Sequence, residues 1–92
     1  MDGAYEWDER KRLANLDKHG IDFRDIHLLR VHPMMVGQAR AVKGEERWMA
    51  TGRMNDIVVT MIFTKRDEVI RIISMRSARR DERKAYQTLL GS

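Results

Sequence analysis

The period of the hydrophobic positions changes twice along the chain, from helical to alternating and back. Asp8 followed by Glu9 marks a helix start, with acidic groups where the N-terminal dipole favours them, and Leu13 with Leu16 supplies an apolar stripe. Lys18 and His19 fall in the last turn and Gly20 at the left-handed stop, so a first helix is predicted over residues 8–19. Asp22 can cap a second, short helix carrying Phe23, Ile26, Leu28 and Leu29, which ends before the only proline, Pro33.

Beyond Met34 the pattern is that of strands. Residues 37–42 form a weak strand before a turn at Lys43 and Gly44. Residues 46–54 alternate, with Trp48, Ala50 and Gly52 on one face and Arg47, Met49, Thr51 and Arg53 on the other. After a turn at Asn55 and Asp56, residues 57–65 place Ile57, Val59, Met61 and Phe63 opposite Val58, Thr60, Ile62 and Thr64. A turn at Arg66 and Asp67 leads into residues 68–75, where Val69, Arg71, Ile73 and Met75 alternate with Ile70, Ile72 and Ser74. Ser77 then caps a helix reaching Leu90, with Ala78, Ala85 and Leu89 as its packing stripe.

Two helices, three or four antiparallel strands and a C-terminal helix predict an α+β fold with helices covering one face of a sheet. If the side with Trp48, Val59 and Phe63 is covered, the other carries Arg47, Thr51, Arg53, Thr60, Thr64 and Arg71, a half-polar surface that can form a basic cleft. Trp7 and Trp48 lie in apolar patterns that fit core packing better than base stacking. The Met34–Met35 pair suits either a core gap or an adaptable partner groove.

A chain of 92 residues, 42% of them hydrophobic, can bury a core and is expected to be one domain over residues 1–92, with Gly91 and Ser92 as a frayed end. No signal peptide or spanning helix is apparent, so the cytoplasm is the expected location. The lack of cysteine excludes disulfides, thiolate metal sites and thiol nucleophiles. Net charge is +4, and it is placed unevenly: residues 1–64 hold ten Lys or Arg against ten Asp or Glu, residues 65–92 eight against four. Thirteen of the eighteen cations are Arg, whose planar fork matches phosphate, so the last third is the part expected to face a polyanion.

His19, His27 and His32 have no spacing that gathers them on a metal, no serine sits in a nucleophile elbow, and the glycines form no phosphate loop. No metal or other cofactor is expected. His19 reads as a structural helix-end imidazole. In the segment RIISMRSARRDERKAY, Arg79, Arg83 and Tyr86 share one helical face and Arg80 and Lys84 the next, with Arg76 just upstream. Such a basic ridge can orient RNA for attack by its own 2′-hydroxyl, a reaction needing no metal. The acid could be Tyr86, Lys43, Lys65 or a histidine, and the base Glu45, Glu46 or a histidine.

Three segments give the chain a family likeness. YEWDERKRLANLDKHGIDF (residues 5–23), GEERWMATG (44–52) and FTKRDEVIRIISMRSARRDERKAY (63–86) resemble, in this order, the opening, first hairpin strand and closing strand and helix of the BrnT toxins, within the wider RelE-like group. The resemblance implies a RelE-like α+β fold, a metal-independent endoribonuclease that blocks translation, and a neutralising BrnA-like antitoxin through which alone operator DNA would be met. It places basic positions at Arg47, Arg71, Arg76, Arg79, Arg80 and Arg83, beside Tyr86 and Glu45. On this basis Arg76, Arg79, Arg80, Arg83 and Tyr86 are expected to be catalytic, and Arg47, Arg53, Lys65 and Arg71 to bind RNA, free or on the ribosome. Residues 30–42 depart from the longer acidic loop of many members, and Ser77 replaces a commonly basic residue. A second reading is an inactive homologue that only binds antitoxin within a repressor complex; a third is a freestanding double-stranded nucleic-acid binder.

Overall fold

The computed structural model describes residues 4–91; Ser92 of the expected frayed end lies outside them. In chain order the elements are β1 (Ala4–Trp7), α1 (Glu9–His19), a 3₁₀ turn (Phe23–Asp25) running into the single-turn α2 (Ile26–Leu29), β2 (Met35–Val42), β3 (Glu45–Met54), β4 (Ile57–Arg66), β5 (Val69–Ser77) and α3 (Arg80–Leu90). Among the described residues the strands make one five-stranded sheet in the order β1-β5-β4-β3-β2. The fold is therefore α+β as expected, but the second helix is a 3₁₀ turn followed by a single α-turn, and the sheet is mixed rather than antiparallel. The strand missed is β1, which pairs parallel with β5 from Ala4–Val69 to Trp7–Ile72. Four residues are too few for a visible alternation, and a parallel partner this far along the chain leaves no turn signal.

The helix boundaries follow local chemistry. Asp8 accepts from the backbone N–H groups of Arg10 and Lys11, and Gly20 closes α1 at φ 70° with its N–H on the Leu16 carbonyl. The buried face of α1 is not the expected leucine stripe: Leu13 and Leu16 are 53% and 37% exposed, while Arg12 and Asn15 are buried. Arg12 donates to Glu9 (2.7 Å) and to Asp22 (3.0 Å), and so fastens the helix to the cap of the 3₁₀ turn. Asn15 donates to the carbonyls of Ile21 (2.9 Å) and Met75 (2.8 Å) and accepts from the Met75 N–H (3.1 Å). Where β1 stops pairing, at Ile72, this amide takes over the exposed edge of β5.

The core lies between the sheet and the segment from α1 to α2. It contains Phe23, Ile26, Leu29, Ala50, Val59, Met61, Phe63, Ile72 and Met75, with Trp7 edge-on to Phe23 and Trp48 packed at its border. Gly52 sits where a β-carbon would lie 2.9 Å from Met34 and 3.0 Å from Leu29, which is how α2 comes so close to β3. The register of β4 and β5 shifts from Ile62–Ser74 to Phe63–Ile72, so Ile73 is an extra, bulged residue. The expected strict alternation of β5 fails here, and the bulge lets Ile70, Ile72 and Met75 all face the core.

The opposite face is not free of helix. α3 lies on it, with Glu82 and Tyr86 buried beneath. Of its expected stripe Ala78 is buried just before the helix, while Ala85 is exposed and Leu89 is 67% exposed. Ser77 ends β5 instead of capping the helix; Arg79 is the N-cap residue, and its N–H is accepted by Glu82 at 2.8 Å. Gly91, expected to fray, is the left-handed C-cap at φ 72° with its N–H on the Gln87 carbonyl. Among the described residues no helix is long and apolar enough to cross a membrane.

Candidate nucleic-acid interface

On the face shared with α3, the pairing registers arrange side chains in rows across the strands, about 4.8 Å apart between strands and about 7 Å between rows. One row runs Ala39–Arg47–Thr64–Arg71–Glu6, Arg47 facing Thr64 because Trp48 pairs with Phe63. The next runs Gly37–Met49–Ile62–Ser74. The third runs Met35–Thr51–Thr60–Arg76 and passes under α3. In the middle row Met49, Ile62 and Ser74 are half-buried, Gly37 is exposed, and none is charged. The result is a shallow trough with an apolar floor and arginines along both sides.

The third row is a closed polar network. Glu82 grips the Arg76 guanidinium with both oxygens, at 2.7 and 3.0 Å, and also accepts from Thr60 at 3.0 Å; Thr60 in turn meets the Thr51 hydroxyl at 2.9 Å. The Arg76 hydrogen bond, with help from the Arg79 N–H and Thr60, holds the Glu82 carboxyl down at about 2. The same pairing raises Arg76 above the ordinary guanidinium range. Arg76 thus lines the trough with part of its charge already answered; from sequence, Asp81 and Glu82 read as partners of the ridge arginines on a solvated helix, and Glu82 does pair with an arginine, but as a buried group. Its signal was available: an acid three residues after a helix start reaches back to the cap N–H.

The first row is less satisfied. Arg71 donates to Glu6 across the β1–β5 pair. Among the described residues, Arg47 Nε and Thr64 Oγ1 are the buried side-chain polar atoms lacking a hydrogen-bond partner. Of the residues expected to bind RNA, Arg47 and Arg71 therefore meet in one row. Arg53 shares the face but lies further along β3, with its Nε on the Asn55 carbonyl at 3.4 Å. Lys65 is on the other face, its ammonium 4.2 Å from the centre of the Trp48 ring.

The residues expected to be catalytic are likewise divided. Arg76 enters the trough. Arg79, Arg80 and Arg83 are exposed around the start of α3, and Arg83 donates to the Ala78 carbonyl at 2.6 Å. Tyr86 does not share their surface: it is 2% exposed, and its hydroxyl donates to the Pro33 carbonyl at 3.1 Å. Glu45, a candidate base, pairs loosely with Arg66 at 3.8 Å. Lys43 sits in the β2–β3 turn at φ 52°, next to Gly44 at φ 77°. The two adjacent methionines part company, Met34 packing on the core and Met35 lining an apolar groove with Ala85 and Leu89.

A mixed sheet with a cationic trough on one face and its remaining hydrophobic side under short helices defines a small α+β domain whose open surface is suited to a polyanion. The chain matches, over residues 7–82, the family described as the ribonuclease toxin BrnT of type II toxin-antitoxin systems, and it belongs to that family. It is similar to the ribonuclease toxin BrnT of Brucella abortus, known from a crystal structure at 1.1 Å resolution, with 32% identity and a TM-score of 0.64 over 86% of this chain and 100% of that one. No curated protein sequence matches it.

Proposed function

We propose that this chain is a metal-independent endoribonuclease of RelE-like type that cleaves RNA in the cytoplasm, blocks translation, and is neutralised by a BrnA-like antitoxin. The observation that carries this reading is the trough: Arg47 and Arg71 on one side, Arg76 on the other, and Met49 and Ile62 between them. An apolar floor accepts a base while the arginines take the flanking phosphates. In the reaction the 2′-oxygen attacks the adjacent phosphorus, and arginines stabilise the extra negative charge as the bond to the 5′-oxygen breaks. The protein supplies orientation and charge, so no resident metal is required. Arg79, Arg80 and Arg83 at the mouth of α3 extend the binding surface for a longer strand.

The test is cleavage of a labelled single-stranded RNA in excess EDTA by purified, antitoxin-free protein. Cleavage leaving a 2′,3′-cyclic phosphate, with the all-deoxy strand left intact, is the expected result. Arg71→Ala should weaken RNA binding and lower the salt slope of log affinity by about 0.7. An intact RNA, also in the presence of ribosomes, would overturn the reading. One observation favours the alternative of a non-cleaving, antitoxin-binding homologue: Arg76 and Tyr86 are both engaged in structural bonds, to Glu82 and to Pro33. Antitoxin affinity without RNA turnover would support that alternative.

A further inference from the structure

The trough does not end at β5. Past the last β1 pair, the edge of β5 is bordered by α1, and between them lies an open cleft of about 280 Å³. Lys11, Lys18 and His19 line it from the helix, and Ile73 and Ser74 from the strand, with Asn15 at its base. Lys11, Asn15 and His19 are spaced four apart, so Asn15, bonded to both backbone groups of Met75, fixes the helical face that carries the other two. Ser74 is shared: it ends the middle row of the trough and forms one wall of the cleft. The Ile73 bulge is what turns Ser74 onto this face. His19 therefore lines the cleft onto which the apolar row opens at Ser74.

Sequence alone favours a locally bonded, structural imidazole at this position. The structure gives it no such employment: His19 is half-buried in the cleft wall, and none of the described residues hydrogen-bonds its ring. Two other candidate proton carriers near the trough are already engaged. Glu82 is held ionised by Arg76, and the Tyr86 hydroxyl is buried on Pro33.

We propose that His19 is the general base of RNA cleavage, an inference that rests on the ribonuclease reading above. With the scissile phosphate over Ser74 and held by Arg71 and Arg76, the neutral imidazole takes the proton of the 2′-hydroxyl. The 2′-oxygen forms its bond to phosphorus, the bond from phosphorus to the 5′-oxygen breaks, and the departing oxygen takes a proton from the solvent that the open cleft admits. Lys11 and Lys18 add positive charge beside the phosphate on the helix side. The products are a 2′,3′-cyclic phosphate and a 5′-hydroxyl, and the proton left on His19 returns to solvent.

The experiment compares the parent with His19→Gln, His19→Ala and, as a control outside the cleft, His32→Gln. Cleavage of labelled RNA is measured beside binding of the same sequence with 2′-O-methyl groups, which cannot react. His19→Gln is expected to lose about 100-fold or more in rate, to bind the methylated strand as the parent does and to melt at the same temperature. Free imidazole should restore part of the rate to His19→Ala, and His32→Gln should cleave normally. His19 variants that cleave at the parent's rate, or that lose rate only in step with binding, would overturn the role of His19 and leave the ribonuclease reading standing. A parent that cleaves no RNA would overturn both, and that outcome is visible before any variant is made.

Discussion

Glu82, the third residue of α3, holds Arg76, near the end of β5, through two parallel hydrogen bonds of 2.7 and 3.0 Å. The pair joins the last helix to the sheet at a point where the helix offers few apolar contacts. Removing either partner leaves the other charge largely buried and unanswered. Arg76→Ala and Glu82→Ala are each expected to cost about 3 kcal/mol, and the double variant less than their sum. A double-mutant cycle in urea should give a coupling of about 2 kcal/mol. Additive losses would show that the two groups act independently. Loss of activity in Arg76→Ala is consequently interpretable only beside its melting curve.

The same pair sets an acid limit on stability. Glu82 has an ordinary value of 4.5 and is held at about 2 in the fold; Asp22, ordinarily 3.8, is also held at about 2, first by the Arg24 N–H and then by the Arg24 and Arg12 side chains. Both carboxyls are depressed, so their stabilisation is complete above their ordinary values and is lost as pH falls through about 4 toward 2. For the well-buried Glu82 this amounts to about 3 kcal/mol. Urea unfolding followed from neutrality to pH 2.5 should show the loss, and Glu82→Gln should flatten it. An unchanged slope in that variant would mean that other carboxylates govern acid unfolding.

Asn15 is expected to be the most sensitive polar position outside the trough. Its amide makes three bonds to backbone that has no other partner there, two of them on Met75 and one on Ile21. Asn15→Leu keeps the size but strands these groups, at a cost of about 2 to 4 kcal/mol. Thermal melting measures this directly, and amide exchange at Met75 should rise more than exchange in β3. A melting temperature equal to the parent's would show that water replaces the amide without penalty.

Gly52→Ala probes the contact between α2 and β3. The added methyl would meet Met34 and Leu29 side-chain carbons at 2.9 and 3.0 Å. Leu29 is wholly enclosed, so the contact is relieved only by a shift of α2 against β3, and a loss of about 1 to 3 kcal/mol is expected. Pairing this change with Met34→Ala, which vacates the space, should recover part of the loss.

The parts of this fold written in local pattern were legible from sequence. The caps at Asp8, Gly20 and Asp22, the hairpins, and the inward side of Val59 and Phe63 follow from spacing and turn chemistry. What sequence did not convey is of another kind. The inward face of α1 is polar because Arg12 and Asn15 find partners in distant segments, so its leucines mislead. A single bulge at Ile73 changes which residues of β5 share a face. For the candidate site, strand alternation and the family resemblance put forward Arg47, Arg71 and Arg76, which share a face, but could not say that Lys65 lies on the other face or that Tyr86 is enclosed. From sequence His19 reads first as a helix-end imidazole and only then as one of several candidate acids or bases, because the strand that completes its cleft comes more than fifty residues later.

That separation has a consequence for how the protein comes into being. Glu6 meets Arg71 across 65 residues, and Asn15 meets Met75 across 60. Closing loops of this length is slow compared with forming the hairpins between them. On a translating ribosome the hairpins can assemble while β5 is still within the exit tunnel, but neither the arginine rows nor the α1 cleft exists until β5 has emerged. Any nascent chain that stops short of β5 therefore lacks both features, however well its hairpins have formed.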